Sequence, residues 1–194
     1  MRTSKTREML IDVARALFAE QGFHNTTMND IAAVSQKGRR TLYTYFKNKD
    51  EIYIAVIERE LTFLLEKLRM VAERNVNPER KLIEYIFTRL DAIKELIFRN
   101  GSLRSDFFNN AMEVERVRRK IDIEEQKIIR KILQEGVEKG IFYTENIDIT
   151  VMMIQFSLRG VEVPYIKDNI REKLRKNREN IIKFLLRGLK RPVE

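Results

Sequence analysis

The sequence predicts an all-α fold, and three observations carry that prediction. Leu, Ile, Lys, Arg and Glu are abundant, while the 194 residues include only seven Gly and three Pro, a balance that suits helix interiors. Apolar residues recur at helical spacing along most of the chain. Between those stretches stand caps and stops: Thr27 with Asp30, Asn48 with Glu51, Asn77-Pro78 and Asn100-Gly101. The expected organisation is a three-helix N-terminal unit of helix-turn-helix layout over residues 1–48, followed by a larger helical part over 49–194.

The first helix is read from TREMLIDVARALFAEQGF, where Met9, Leu10, Val13, Ala14, Leu17 and Phe18 form one apolar face and Gly22 follows as a left-handed stop. Thr27 and Asp30 have capping-box spacing and open a short second helix with Ile31 and Val34 facing inward. A break over Ser35–Gly38 leads to a third short helix, RRTLYTYF. Asn48 and Glu51 then cap a long helix through Ile52, Val56, Ile57, Leu61, Leu64, Leu65 and Leu68. Asn77-Pro78 starts another, striped by Leu82, Ile83, Ile86, Phe87, Leu90, Ile93 and Leu96, up to Asn100-Gly101. SLRSDFFNNAM reads as a shorter element, and Val114, Val117, Ile121, Ile128, Ile132 and Val137 line a long helix ending near Gly140. Ile149, Met152, Met153, Phe156 and Leu158 mark the next, with its end expected near Gly160–Pro164. One last helix is expected from about Asp168 to Gly188.

Composition narrows the function. With no Cys, neither a disulfide framework nor a thiolate metal site is possible. The single histidine, His24, lies in the loop GFHNTT, which makes a His-based metal site improbable. No phosphate-binding or dinucleotide glycine pattern occurs, and the Glu124-Glu125 pair reads as charged helix surface. No catalytic residue, cofactor or metal is therefore expected. No apolar run is long enough to span a bilayer and no signal-peptide core is read at the start, so the expected location is cytoplasmic.

The net charge of +9 is unevenly placed: residues 1–49 carry nine Lys/Arg against four Asp/Glu, residues 50–166 carry nineteen against twenty-one, and residues 167–191 carry ten against three. Two basic ends around a nearly neutral middle suggest a polyanion partner. The basic C-terminal helix also admits a membrane-surface reading. Its interspersed acids and narrow apolar stripe suit a partner helix better, and no membrane partner is expected.

The N-terminal charge has a specific form. From Lys37 to Lys49 the chain holds five cations, no acid and the cluster Tyr43-Thr44-Tyr45-Phe46. A helix entering the major groove of double-stranded DNA needs long hydrogen-bonding side chains at its leading end and an apolar rear. RRTLYTYF supplies both: Arg39 and Arg40 lead, Thr41 can meet a base or a thymine methyl, and Leu42 and Phe46 anchor the back. Tyr43 and Tyr45 have hydroxyls able to reach phosphates. The helix start after Asn48, with Lys49 beside it, is an expected anion site, and Thr27 heads a second. Lys37 adds a cation in the turn.

At these residues the chain resembles the TetR family of transcriptional regulators. The matching positions are Ala14, Leu17-Phe18, Gly22-Phe23, Thr26-Thr27-Met28 and Ile31-Ala32, then Thr41-Leu42-Tyr43, Tyr45-Phe46 and Lys49, in register over residues 14–49. The resemblance implies that Thr27, Tyr43 and Lys49 hold phosphates and that Arg39, Arg40 and Thr41 face bases. One stretch departs from the pattern. Where the family commonly has Ala-Gly-Val-Ser, this chain has Ser35-Gln36-Lys37-Gly38, and Gly38 is a candidate to shift the turn.

The resemblance further implies that residues 49–194 form a helical effector-binding and dimerisation domain. Its two last helices carry apolar stripes (Met152, Met153 and Phe156 with the small Ser157 and Gly160; Ile170, Leu174, Ile181, Phe184, Leu185 and Leu189) that suit a four-helix homodimer interface. Tyr85, Phe87, Phe98, Phe107, Phe108, Phe142, Met152, Met153 and Phe156 could line a cavity, and of these Phe87, Phe98, Phe107, Phe108, Met152 and Phe156 are the candidates for the pocket of an unidentified small-molecule effector. The expected function is a dimeric repressor that binds a near-palindromic operator and is released by that effector. Non-specific DNA binding is the alternative.

Overall fold

The computed structural model describes residues 5–99, 112–166 and 171–189. Among them it holds nine helices and no strand: α1 Lys5–Gln21, α2 Met28–Val34, α3 Arg39–Tyr45, α4 Lys49–Glu73, α5 Pro78–Arg99, α6 Met112–Glu138, α7 Ile147–Ile166, α8 Arg171–Lys176 and α9 Arg178–Arg187. The sequence element expected over 102–112, together with Phe107, Phe108 and Ile170, lies outside the described residues except for Met112, which opens α6. The chain divides into two compact units, one of Met1–Thr62 with Glu95–Lys120 and the other of Phe63–Lys94 with Ile121–Glu194.

In the first unit the apolar face of α1 buries Leu10, Ile11, Ala14 and Phe18 together with Ile31, Leu42, Phe46, Ile52 and Val56. Met9, Val13 and Leu17, expected on that face, are half-buried, and Ile11 replaces them at the centre. Phe18, Phe23 and Tyr53 gather with ring centroids 4.9–6.1 Å apart, two pairs tilted and the Phe18–Tyr53 pair edge-on, at separations that favour aromatic contacts. Gly22 takes φ 90, so α1 stops where a left-handed residue was expected. The capping box of α2 forms in full: Thr27 Oγ1 accepts the Asp30 N–H at 3.2 Å, and Asp30 Oδ2 accepts the Thr27 N–H at 2.7 Å. The unit takes in the first half of α4 because Arg59 reaches back to α1, donating from Nη2 to Asp12 Oδ1 at 2.6 Å.

The second unit buries Leu82, Tyr85, Leu90 and Ile93 of α5 with Ile129, Ile132 and Leu133 of α6 and Val151, Leu158 and Tyr165 of α7. Its interior also holds charge, which the sequence did not suggest. Glu125 is only 1% exposed, not surface, because it shares the inward face of α6 with Ile128, Ile129 and Ile132; Glu124, one position round the helix, is the surface member of the pair. Arg89 Nε donates to Glu125 Oε1 at 2.9 Å, and Arg89 Nη2 pairs with Glu162 Oε1 at 2.6 Å. Burial pushes the Glu125 carboxyl above its ordinary value, with Arg89 opposing that shift, and burial likewise drives the Tyr85 hydroxyl well above its own.

Two helix ends differ from expectation. α7 does not stop at Gly160–Pro164 but runs to Ile166. The turn containing Pro164 is held because Tyr165 and Ile166 are buried and Tyr165 Oη donates to Asp91 Oδ1 at 2.7 Å; a proline in a last turn removes only one helical hydrogen bond. The last helix is not continuous: α8 and α9 meet at Asn177, with φ −102 and ψ 19, whose amide side chain donates to Lys173 C=O at 2.8 Å. The Asn177 N–H donates to the same carbonyl at 3.1 Å, so the chain bends there with the hydrogen bond kept.

Candidate nucleic-acid interface

Helix α3 owes its placement to two buried side chains. Leu42 is fully buried and Phe46 is 2% exposed, and each contributes about 1.5–3 kcal/mol when buried. Arg7 adds its guanidinium over the Phe46 ring, 5.1 Å from the centroid. With that rear face fixed, Arg39 and Arg40 stand exposed at the leading end, followed by Tyr43, and Thr41 and Tyr45 are half-buried at the flanks. Lys37 is exposed in the preceding turn. Six of the eight expected DNA contacts thus lie on one short element and its approach, while Thr27 heads α2 and Lys49 opens α4.

Three expected anion contacts are already engaged by the chain itself. Lys49 does not stand free beside the first turn of α4: its Nζ donates to Phe23 C=O at 2.6 Å and lies 4.3 Å from the centroid of the Phe23 ring, with His24 C=O at 3.4 Å. It ties the α1–α2 loop to the start of α4. That helix start is itself capped, since Asn48 Oδ1 accepts the Glu51 N–H at 2.8 Å and Glu51 Oε2 accepts the Lys47 N–H at 2.7 Å. The Glu51 carboxylate thus occupies ground that a phosphate was expected to use. Thr27 likewise donates its hydroxyl to Asp30 Oδ2 at 2.7 Å. Hydrogen bonds from Thr27, side chain first and backbone second, hold the Asp30 carboxyl below its ordinary value.

The comparisons with known proteins agree with this geometry. The family model described as "Bacterial regulatory proteins, tetR family" matches residues 10–56, the stretch from α1 into α4. A curated relative from Escherichia coli (strain K12), "Probable acrEF/envCD operon repressor", is 30% identical over 157 residues, covering 77% of this chain and 70% of its own length. The chain belongs to the TetR family. It is a DNA-binding transcriptional regulator. Among solved structures, a transcriptional regulator from Cytophaga hutchinsonii ATCC 33406 superposes with a TM-score of 0.80 at 24% identity, over 97% of this chain and all of that one. SmeT in its complex with triclosan has a TM-score of 0.67 at 21% identity, over 97% and 93%.

Against the TetR pattern, the turn between α2 and α3 is settled in an unexpected way. Gly38 does not shift it. Gly38 sits at the N-cap of α3 with φ −61, while Gln36 takes φ 52 at the position where the family commonly has glycine. Gln36 is the one non-glycine residue with positive φ among those described, and its N–H donates to Ala33 C=O at 3.2 Å. The register of the turn is kept at the cost of a left-handed side-chain-bearing residue, about 1–2 kcal/mol. Lys37, at the place of the usual buried valine, points to solvent.

A cavity of about 810 Å³ lies in the second unit, walled by Leu82, Ile86, Phe87 and Leu90 of α5, by one stripe of α7, by Leu174 of α8 and by α9 with the residues after it. Of the expected effector-pocket residues only Phe87 lines it; Met153, from the longer set, does so as well. Met152 and Phe156 do not, because they lie on a different stripe of α7 and are 40% and 54% exposed. Phe98 belongs to the other unit and is 58% exposed, while Phe107 and Phe108 lie outside the described residues. Tyr85 and Phe142 are buried core. Arg187 of α9 lines the cavity too; in a C-terminal stretch with ten cations nothing in the sequence set it apart.

Proposed function

We propose that this regulator is a repressor that binds a near-palindromic operator as a homodimer and is released by a small molecule held in its C-terminal part. The observation that carries the reading is the exposed Arg39-Arg40 pair at the head of a helix whose rear, Leu42 and Phe46, is buried. Each guanidinium can bond a guanine edge in two places, contributing roughly 1–3 kcal/mol of discrimination. Thr41 adds a base contact, while Lys37, Tyr43 and Tyr45 face phosphates, and Thr27 and Lys49 hold the loop and helix start beside them. Residues 1–48 act as the DNA-binding domain and 49–194 as the effector-binding and dimerisation domain. The site of action is the cytoplasm, and the role is regulatory rather than catalytic; among the described residues no helix is long and apolar enough to cross a membrane.

Dimerisation is supported by the outward stripe of α7. Met152, Phe156 and Val163 are 39–54% exposed there, with Gly160 leaving open space between them, and Phe184 of α9 is 77% exposed. A two-fold pair that reads successive major grooves needs its two recognition helices about 34–36 Å apart, one helical turn of DNA. Selecting bound fragments from a random DNA pool at near-physiological salt tests the reading. An inverted repeat with half-sites one turn apart is expected. Salt-sensitive binding without a consensus would leave a non-specific DNA-binding protein instead.

A further inference from the structure

The cavity of the second unit has walls that discriminate between kinds of ligand. Its surface is hydrocarbon from α5, from Ile149, Met153 and Ile154 of α7 and from Ile181 and Phe184 of α9. Its polar side chains are few. The Thr150 hydroxyl is already engaged by Thr144 Oγ1 at 2.6 Å and Asn146 C=O at 3.0 Å, which leaves Ser157 and Arg187. Among the described residues no carboxylate lines the space, and Arg187 is the one charged residue that does. Arg187 is exposed in the last turn of α9 and has no ion-pair partner among the described residues. A cationic ligand would meet repulsion here and no counter-charge. A ligand polar throughout would lose water without gaining partners.

We infer that the occupant is a small amphiphile with a hydrocarbon body and one anionic head, such as a carboxylate, which pairs with Arg187. This rests on the effector reading above and names the chemical class of that effector. The volume, about 810 Å³, lies in the range of sites that enclose a drug-sized molecule. The planar guanidinium fork matches a carboxylate in two bonds, and a cation near a helix C-terminus is favourably placed. The body covers Ile149, Met153 and Phe184, which are otherwise 54%, 61% and 77% exposed. Those residues adjoin the outward stripe of α7. An amphiphile seated beneath α7 and α9 thereby changes how these helices present themselves to a second copy, which is the differential contact that ligand-linked release requires.

The test uses the full chain and three probes of equal length, dodecanoate, 1-dodecanol and dodecyltrimethylammonium, each below its micelle-forming concentration. Binding is read by calorimetry, and retention of selected operator DNA is read in parallel. Dodecanoate should bind at least about tenfold more tightly than the alcohol, the scale of one charge-assisted contact. Arg187→Gln should abolish that preference while chain binding persists, and Val161→Phe, which narrows the cavity, should weaken all three at an unchanged melting temperature. Ammonium binding as tight as carboxylate binding, a preference that survives Arg187→Gln, or no binding of any probe would overturn the inference; in the last case a second copy covering the mouth is the alternative occupant. Arg187-dependent binding without DNA release would uphold the inference and defeat the release step of the proposed function. Release without Arg187-dependent binding would do the reverse.

Discussion

Replacing Gly136 with alanine should destabilise this protein, although the same change inside an exposed helix is worth about 1 kcal/mol in the stabilising direction. Gly136 lies within α6, and a Cβ built there falls 2.0 Å from Phe142 Cδ2, 2.5 Å from Cε2 and 2.7 Å from Cγ. Carbon atoms in good contact sit about 3.5–4.0 Å apart, so the ring must retreat by roughly 1.5 Å. It cannot do so by itself. Gly136 C=O accepts the N–H groups of Ile141 at 2.8 Å and Phe142 at 3.0 Å, which fastens the backbone carrying the ring to the turn it would have to leave. The next residue is fixed as well, with the Tyr143 N–H donating to Leu189 C=O at 2.7 Å. Overpacking costs about 1–3 kcal/mol, and expelling the Phe142 ring forfeits a similar burial term. After the propensity gain is subtracted, a net loss of up to about 2 kcal/mol remains. For a chain of this length that lowers Tm by about 2–4 °C per kcal/mol. Thermal unfolding followed by circular dichroism reads it, with Phe142→Ala as the second arm of a cycle. In the Phe142→Ala background Gly136→Ala should be neutral or stabilising. A rise in Tm for Gly136→Ala alone would refute the packing account.

Gln36→Gly should raise stability by about 1 kcal/mol by relieving the left-handed strain at φ 52, less the entropy of a freer unfolded chain; a lower urea midpoint would show the side chain to be needed by the fold. Arg89→Met leaves Glu125 and Glu162 buried without their cation and should cost about 3–5 kcal/mol, measured by urea unfolding. Lys37→Ala should weaken operator binding and reduce its salt slope by about one unit. Lys49→Ala should weaken it with the slope nearly unchanged, since the Lys49 ammonium serves the α1–α2 loop; equal slope changes in the two variants would place Lys49 on phosphate.

The N-terminal half was readable because its punctuation is local. A cap needs two residues three apart, and Thr27/Asp30 and Asn48/Glu51 each close in the structure. The rear of α3 needs two apolar residues four apart, and Leu42 and Phe46 are both buried. What stayed hidden depends on distant partners. Pro164 looks like a stop until Asp91, far earlier in the chain, holds the adjoining Tyr165. Glu125 looks like surface until Arg89 of another helix is placed against it. The engaged states of Lys49 and Thr27 were missed for a related reason, since residue type shows what a side chain can hold but not which carbonyl or carboxylate reaches it first. The cavity was expected from aromatics, but its walls are mostly aliphatic residues that no spacing distinguishes from ordinary core.

Helix α7 has a consequence for how this chain can vary. Its circumference carries three stripes: Val151, Gln155 and Glu162 against the interior, Ile154, Ser157 and Val161 toward the cavity, and Met152, Phe156 and Val163 outward. Each residue step turns the helix by about 100°. Inserting or deleting a single residue within α7 would therefore bring every downstream side chain onto a neighbouring stripe, spoiling all three surfaces at once. Point substitutions have the opposite character, because each falls mainly on one stripe. A lineage can then retune what the cavity accepts while leaving the interior and the outward face as they were, provided the length of the helix between Ile147 and Ile166 is kept.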